Sequence, residues 1–489
     1  MRYLFGDLSF RSAIRQGILA LGLGLLLAAG CSKPRKKAAS PEADALRPAA
    51  EWLRLEPVRL LRDYIRLDTR DEIGEQKGAE FLQNFFECAG IETEMVCPAP
   101  RHCNLLARLP GRSREGAVLL LNHIDVAPVN QSYWKESTPF GGEIKLGFLY
   151  GRGAYDMKSL GITEALAMRN LKDHGIVPPS DILFLGEASE EGQQEWGSGW
   201  LLEHRPDWFK GVAVVLNEGG INEMILRTVR FWGIETVQAG YGMIEFAAAS
   251  PEPLTELAKR WPKLRSAPVE PLPVVVEGFG LLANHLGHPL TDPLRHLQRV
   301  LHDPAELARL PDRYGAFLES RIFWTPQYHD QPGAGASSIV LTYISTPPGI
   351  SPDPYLAPIE EDARRAGIKI LESFSTGPTT ASPYRDASGQ IVPFVRLIQR
   401  VTEARYPGIP FGPIPGFAGV TTSVLFRKRG IAAYGYSPTP FNITDAARRH
   451  GNDERIYLRD YIDGLDLYKE LLLEFALPGD KTSPVRPAN

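Results

Sequence analysis

Three short apolar runs, residues 117–121, 182–185 and 212–216, are each followed at once by imidazole or carboxylate groups. After Leu121 come His123 and Asp125; after Leu185 come Glu187, Glu190 and Glu191; after Leu216 comes Glu218. Runs this short and this uniformly apolar predict strands buried on both faces, and residues 431–436 have the same texture. Between the first two runs lies a helical pattern over 157–174, closed by Gly175. Strand, helix, strand at this spacing predicts an α/β fold with a mixed, largely parallel sheet flanked by helices. Open sheets of that kind gather ligand sites at the carboxyl ends of their strands, so these groups are expected to converge on one crevice. A dry crevice crowded with carboxylates repels itself unless cations neutralise it.

The rest of the chain divides around this pattern. Helices are expected over 57–67, with Val58, Leu61 and Ile65 on one face, and over 78–89, ending at Gly90. A last helix carries Leu458, Tyr461, Leu465, Tyr468 and Leu472 on one face and is expected to pack back on the sheet. Residues 239–379 are richer in proline and less regular, with candidate strands at 243–248, 338–344 and 368–373 and helices at 293–300 and 359–366. They read as an α+β domain inserted into the first, which then comprises 51–238 and 380–480, with a tail at 481–489. A chain of 489 residues exceeds what one core usually supports. Its net charge of −4 argues against a nucleic-acid partner.

The N-terminus reads as a targeting segment. Arg2, Arg11 and Arg15 precede an apolar run over 18–29 that meets Gly30 and Cys31, which is a secretory pattern too short to span a membrane comfortably. The order Leu27-Ala28-Ala29-Gly30-Cys31 resembles a bacterial lipobox, whose cysteine is acylated after cleavage; a generic signal peptide or an uncleaved anchor is the alternative. On the lipobox reading residues 1–31 form the signal ending at acylated Cys31, residues 32–50 form a flexible tether, and the protein faces the periplasm, with Ser32 fitting outer-membrane delivery. Membrane contact would then be through the lipid alone. Of the remaining cysteines, Cys97 and Cys103 are the natural pair for one short bridge, with free buried thiols as the alternative.

Taken singly, the polar groups have plain readings: His123 as a satisfied core histidine, Asp156 as the N-cap of the helix behind it, Glu190 and Glu191 as a solvated turn, and His450 as part of a charged loop. Their joint occurrence reads differently. The segments Leu121-Asn122-His123-Ile124-Asp125-Val126-Ala127-Pro128 and Gly151-Arg152-Gly153-Ala154-Tyr155-Asp156-Met157-Lys158 resemble the dinuclear metallopeptidase family. That family includes glutamate carboxypeptidases, aminoacylases, carboxypeptidase S and succinyl-diaminopimelate desuccinylases. Glu190-Glu191-Gly192, Asn217-Glu218-Gly219-Gly220 and His450-Gly451-Asn452-Asp453-Glu454-Arg455 follow in the family's order, and the second of these is closest to the carboxypeptidase S branch.

The resemblance implies two divalent metal ions, most simply Zn²⁺, with Co²⁺ or Mn²⁺ as alternatives. His123, Asp156 and Glu218 would hold one; Asp156, Glu191 and His450 the other, with Asp156 bridging. Asp125 would orient the His123 ring, and Glu190 would be the general base acting on a water shared by the ions. The implied substrates are small peptides or N-acyl amino acids. The inserted domain would act as a lid and a dimerisation surface. His285, in Asn284-His285-Leu286-Gly287-His288-Pro289, would stabilise the oxyanion, with His288 as competitor.

Two positions depart from the family pattern. Ser345 stands where the lid usually offers an arginine to the substrate's carboxylate, and Thr422 stands where an aspartate is usual. An arginine–carboxylate fork is strong and geometrically selective, so its loss bears on substrate choice more than on chemistry. Hydrolysis of an ester by the same ions, and a silent binding lipoprotein on the same fold, are the competing readings; the intact Glu190 speaks against the second.

Overall fold

Residue Glu92 opens a hairpin, β1 (Glu92–Ala99) and β2 (His102–Leu109), closed by the disulfide Cys97–Cys103, while Cys88 is an exposed free thiol rather than a buried one. In the computed structural model the described residues are 41–478 except 193–194, 221, 226–227, 249–255, 257–258, 260–265, 286–290, 328–337 and 417–419. Cys31, His288, the tail and residues 32–40 of the expected tether lie outside them.

The apolar runs form strands buried along nearly their whole length: β3 (Ala117–His123), β4 (Ile182–Glu187) and β5 (Val212–Asn217). Further strands are β6 (Trp232–Gln238), β7 (Gly240–Ala248), β8 (Arg321–Gln327), β9 (Ser338–Thr346), β10 (Lys369–Ser375), β11 (Phe411–Gly416) and β12 (Ala432–Gly435). The main sheet has eight strands in the order β1-β2-β4-β3-β5-β12-β6-β11. Its centre, β4-β3-β5-β12, is parallel. The pairs β2–β4 and β12–β6 are antiparallel, so β2 on one flank and β6 with β11 on the other run against the centre, while β1 runs with it.

Helices cover both faces. On one side α1 (Glu56–Ile65), α2 (Gln76–Cys88), α3 (Lys158–Asp173) and the long C-terminal helix Leu458–Ala476 share one core with the sheet. The five residues expected on one face of the C-terminal helix are all buried, and it packs against α3. On the other side Trp208, Phe209 and Phe426 close over Leu119, Leu121 and Leu185.

The insertion is not one block. Strands β7–β10 make a separate antiparallel sheet, ordered β8-β9-β7-β10, backed by the helix Asp353–Arg365. The helices between β7 and β8 go elsewhere. Val275, Phe279 and Leu282 of the helix Pro273–His285 are buried with Phe231, Val237 and Ile414, against the β6–β11 edge of the main sheet. Where a single helix is expected over 293–300 there are two short ones, Thr291–Arg295 and Leu297–His302.

The expected tether is also shorter. Residues Pro41–Leu46 and Ala49–Trp52 are helical, and Trp52 is fully buried. Asp44 is buried and accepts hydrogen bonds from Tyr457 Oη at 2.9 Å and Arg459 Nη2 at 2.7 Å. A buried charge held this way is costly to unpair. Asp44→Ala is expected to lower the unfolding free energy by about 1–3 kcal/mol in urea titrations; an unchanged midpoint would show that this segment does not dock in solution.

Candidate active site

Each polar group that follows a central strand sits at that strand's carboxyl end. His123 is the last residue of β3, Glu187 ends β4, and Glu218 follows β5. Because the three strands are parallel, their carboxyl ends face one crevice. Asp156 enters from the loop ahead of α3, and His450 from the loop between the short helix Ile443–Arg448 and the strand Arg455–Tyr457.

The donors fall into two groups that share one residue. His123 Nε2 lies 3.2 Å from Asp156 Oδ1 and 3.9 Å from Glu218 Oε1. His450 Nε2 lies 3.0 Å from Asp156 Oδ2 and 2.9 Å from Glu191 Oε1. Asp156 therefore offers one oxygen to each group, and in each the three ligand atoms lie within 4.8 Å of one another.

Several observations fit this donor set to a pair of divalent cations. The Nδ1 of His123 is 2.9 Å from the main-chain oxygen of Asp125, which can only accept. A neutral ring then turns its Nε2 lone pair toward the Asp156 carboxylate, an opposition that a cation between them relieves. Glu190 Oε1 is buried without a hydrogen-bond partner on the protein. Burial, with smaller contributions from Glu218, Glu191 and Asp125, raises the Glu190 carboxyl well above its usual range, although His123 pulls it down. Burial and Asp156 push Glu218 up to about 8. Groups that resist ionisation this strongly need positive charge beside them to serve as carboxylates.

The role expected of Asp125 changes. Its carboxylate Oδ1 is 3.6 Å from the His123 ring, whereas Oδ2 accepts the Glu191 N–H at 2.7 Å. The backbone carbonyl orients the imidazole, and the side chain braces the turn that presents Glu190 and Glu191.

That turn has further support which sequence reasoning missed. Ser189 has φ 58°. Its N–H donates to Glu75 Oε1 at 3.3 Å and its hydroxyl to Asp71 Oδ1 at 2.5 Å. His102 Nδ1 meets Glu75 Oε2 at 3.1 Å, and Asn104 Oδ1 accepts the Ala188 N–H at 2.9 Å. A second missed device links the two loops that carry Asp156 and His450. Arg152 Nη1 is 2.7 Å from Glu454 Oε2, both residues being buried. Glu454 Oε1 accepts from the N–H of Asp156 at 3.1 Å, and Arg152 Nη2 donates to the carbonyl of His450 at 3.1 Å. The signal available in the sequence was an arginine and a glutamate inside the two segments already singled out.

His285 is not brought to this cluster. It ends the helix Pro273–His285, its ring 6.3 Å from that of Phe231, and burial together with Arg230 lowers its pKa. Thr422 does not face a substrate either: its hydroxyl donates to the buried Glu187 at 2.5 Å. Ser345 lies within β9, paired with Tyr241 on one side and Arg321 on the other. Arg321 is no replacement for a lid arginine, because it is buried and bonded to Glu319 and to the carbonyls of Leu307 and Leu310. Arg364 and Arg365 pair with Glu360 and Glu361 on an exposed helix face.

Residues 119–474 match the family model described as Peptidase family M20/M25/M40. The chain belongs to the M20 peptidase family. Pig (Sus scrofa) aminoacylase-1 is 33% identical over 442 residues, covering 86% of this chain and 95% of that enzyme. The likeness to the succinyl-diaminopimelate desuccinylase of Wolinella succinogenes is local, 41% over 85 residues, or 17% of this chain and 22% of that one. The fold is that of human carnosine dipeptidase 1, with a TM-score of 0.61 at 17% identity over 87% of this chain and 98% of that one. The M20 chain is thus a metallohydrolase of the peptidase and aminoacylase type.

The shared carboxylate gives a stoichiometric test. Metal analysis of the purified M20 chain is expected to find two divalent ions, His123→Ala and His450→Ala each losing one, and Asp156→Ala losing both. Retention of one full equivalent by Asp156→Ala would rule out bridging.

Proposed function

We propose that this protein hydrolyses the amide bond of small peptides or N-acyl amino acids, with Glu190 as general base. The observation that carries this reading is the division of Asp156 between two imidazole–carboxylate groups, with the partnerless Glu190 Oε1 beside them. Zinc suits the imidazole and carboxylate donors best, and cobalt or manganese would be accepted by the same set. Two such ions, when bound, would polarise the scissile carbonyl and acidify the attacking water.

The chain's own residues supply the rest. His123, Asp156 and Glu218 hold one end of the site, and Glu191 and His450 the other. Asp125 fixes the turn so that Glu191 and its neighbour Glu190 are presented together. Glu190 takes a proton from water as oxygen bonds to the carbonyl carbon, then returns it to nitrogen as the carbon–nitrogen bond breaks. Burial raises the proton affinity of Glu190, which makes it a stronger base than an exposed glutamate. The similarity to aminoacylase-1 along nearly its whole length supports an amide rather than an ester substrate.

Assay of a panel of dipeptides and N-acyl amino acids, before and after chelation and with Zn²⁺, Co²⁺ or Mn²⁺ restored, tests this. Amide cleavage that stops on chelation and returns with metal is expected; cleavage of esters alone would select the other bond. Glu190→Gln is expected to lower kcat by about 10²–10⁴-fold with both ions retained, and loss of metal instead would remove it from the role of base.

We infer further that the protein is exported and held at a membrane through a lipid on Cys31, on the strength of the basic, apolar and Leu27–Cys31 pattern. Cys31→Ser is then expected to move the protein from the membrane fraction to the soluble periplasmic fraction; unchanged partitioning would overturn the anchor.

A further inference from the structure

One cation stands at the donor cluster outside any hydrogen bond. The side chain of Arg449 is 36% exposed, and its Nε lies 3.9 Å from Asp156 Oδ2, beyond hydrogen-bond length. Among the described residues that ion pair is the one polar contact its guanidinium makes. None of its nitrogens is sealed from solvent.

Its neighbours are all committed. Arg448 pairs with Glu136 at 2.7 Å, Arg455 with Asp445 at 2.8 Å, and Arg152 with Glu454 at 2.7 Å. Arg449 also lines a shallow surface recess together with Tyr155, Met224 and Phe441. Arginine presents a planar fork of donors that matches a carboxylate at two points, and here that fork is unused.

We propose that Arg449 is the substrate-carboxylate anchor of this enzyme, so that the preferred amides carry a free carboxylate close to the scissile bond. This rests on the amide-hydrolase reading above. The simpler alternative, that Arg449 only balances the charge of Asp156, explains its place. It does not explain a separation of 3.9 Å, because a guanidinium given over to a carboxylate closes to hydrogen-bond distance. Nor does it explain why Arg152, Arg448 and Arg455 beside it are hydrogen-bonded while this fork is not.

The test compares dipeptides and N-acyl amino acids with their C-terminal carboxamides, reading kcat/KM for cleavage of the same internal amide. Wild-type enzyme is expected to favour the acid by about 10- to 100-fold, the worth of a charged hydrogen-bonded pair. Arg449→Met should collapse that ratio toward one, and Arg449→Lys should restore part of it, with two ions per chain in each. Equal cleavage of acid and carboxamide by the wild type would overturn the proposal without reference to any variant. A ratio unchanged in Arg449→Met with metal retained would overturn it as well. If the wild type cleaves neither amide with metal supplied, it is the amide-hydrolase reading that fails.

Discussion

The site depends on a buried ion pair that touches none of the donor atoms. Arg152 and Glu454 are separated by 302 residues, and their side chains lie 2.7 Å apart where water is excluded. Glu454 also receives the N–H groups of Tyr155 and Asp156, while Arg152 also holds the carbonyls of Ala127, Pro128, His450 and Gly451. One clamp thus sets the loop after β3, the loop carrying Asp156 and the loop carrying His450. A buried pair is often no more stabilising than an apolar replacement, but unpairing it is expensive, about 3–5 kcal/mol. Its value here is geometric: it makes the spacing of donors drawn from distant parts of the chain a property of one rigid contact.

How much of the fold can be read from the chain follows from how each strand is buried. β3, β4 and β5 are apolar on both faces because helices cover both, and that leaves an uninterrupted run in the sequence. β11 leaves no such trace. It reads Phe-Gly-Pro-Ile-Pro-Gly, and its two prolines are tolerated because it stands at the edge of the sheet and pairs on one side only. The inserted segment shows a similar limit. Its change of texture marks where the chain passes from β6 in the main sheet to β7 in the separate one, but the helices that pack on the β6–β11 edge carry apolar residues like any others. Which surface such a stripe covers is decided by tertiary contact, and periodicity carries no record of that.

The candidate ligands separate in the same way. His123, Glu191 and Glu218 were legible from their positions just past buried strands, because topology alone brings those ends together. Asp156 and His450 were not, since a helix N-cap and a charged loop give the same local pattern, and family resemblance singled them out. The residues that brace them were invisible singly. Glu75, His102 and Ser189 are ordinary polar residues until the fold places them behind one turn, where the positive φ of Ser189 is held by bonds from both sides.

Charge accounts for what remains. Asp125, Asp156, Glu190, Glu191 and Glu218 act on one another electrostatically within the crevice. Two divalent cations would offset four of those five negative charges, and the guanidinium of Arg449 the fifth. Burial works against that guanidinium's charge, and Asp156 and Glu218 more than compensate. A carboxylate arriving on a substrate enters a centre already neutral, so it is held only if a cation can turn toward it without abandoning a hydrogen bond. Arg152, Arg448 and Arg455 would each have to break one. Arg449, 3.9 Å from its partner, would not. Selectivity on this proposal lies in the loop beside His450, where the group that reads the substrate is tied to the groups that cleave it.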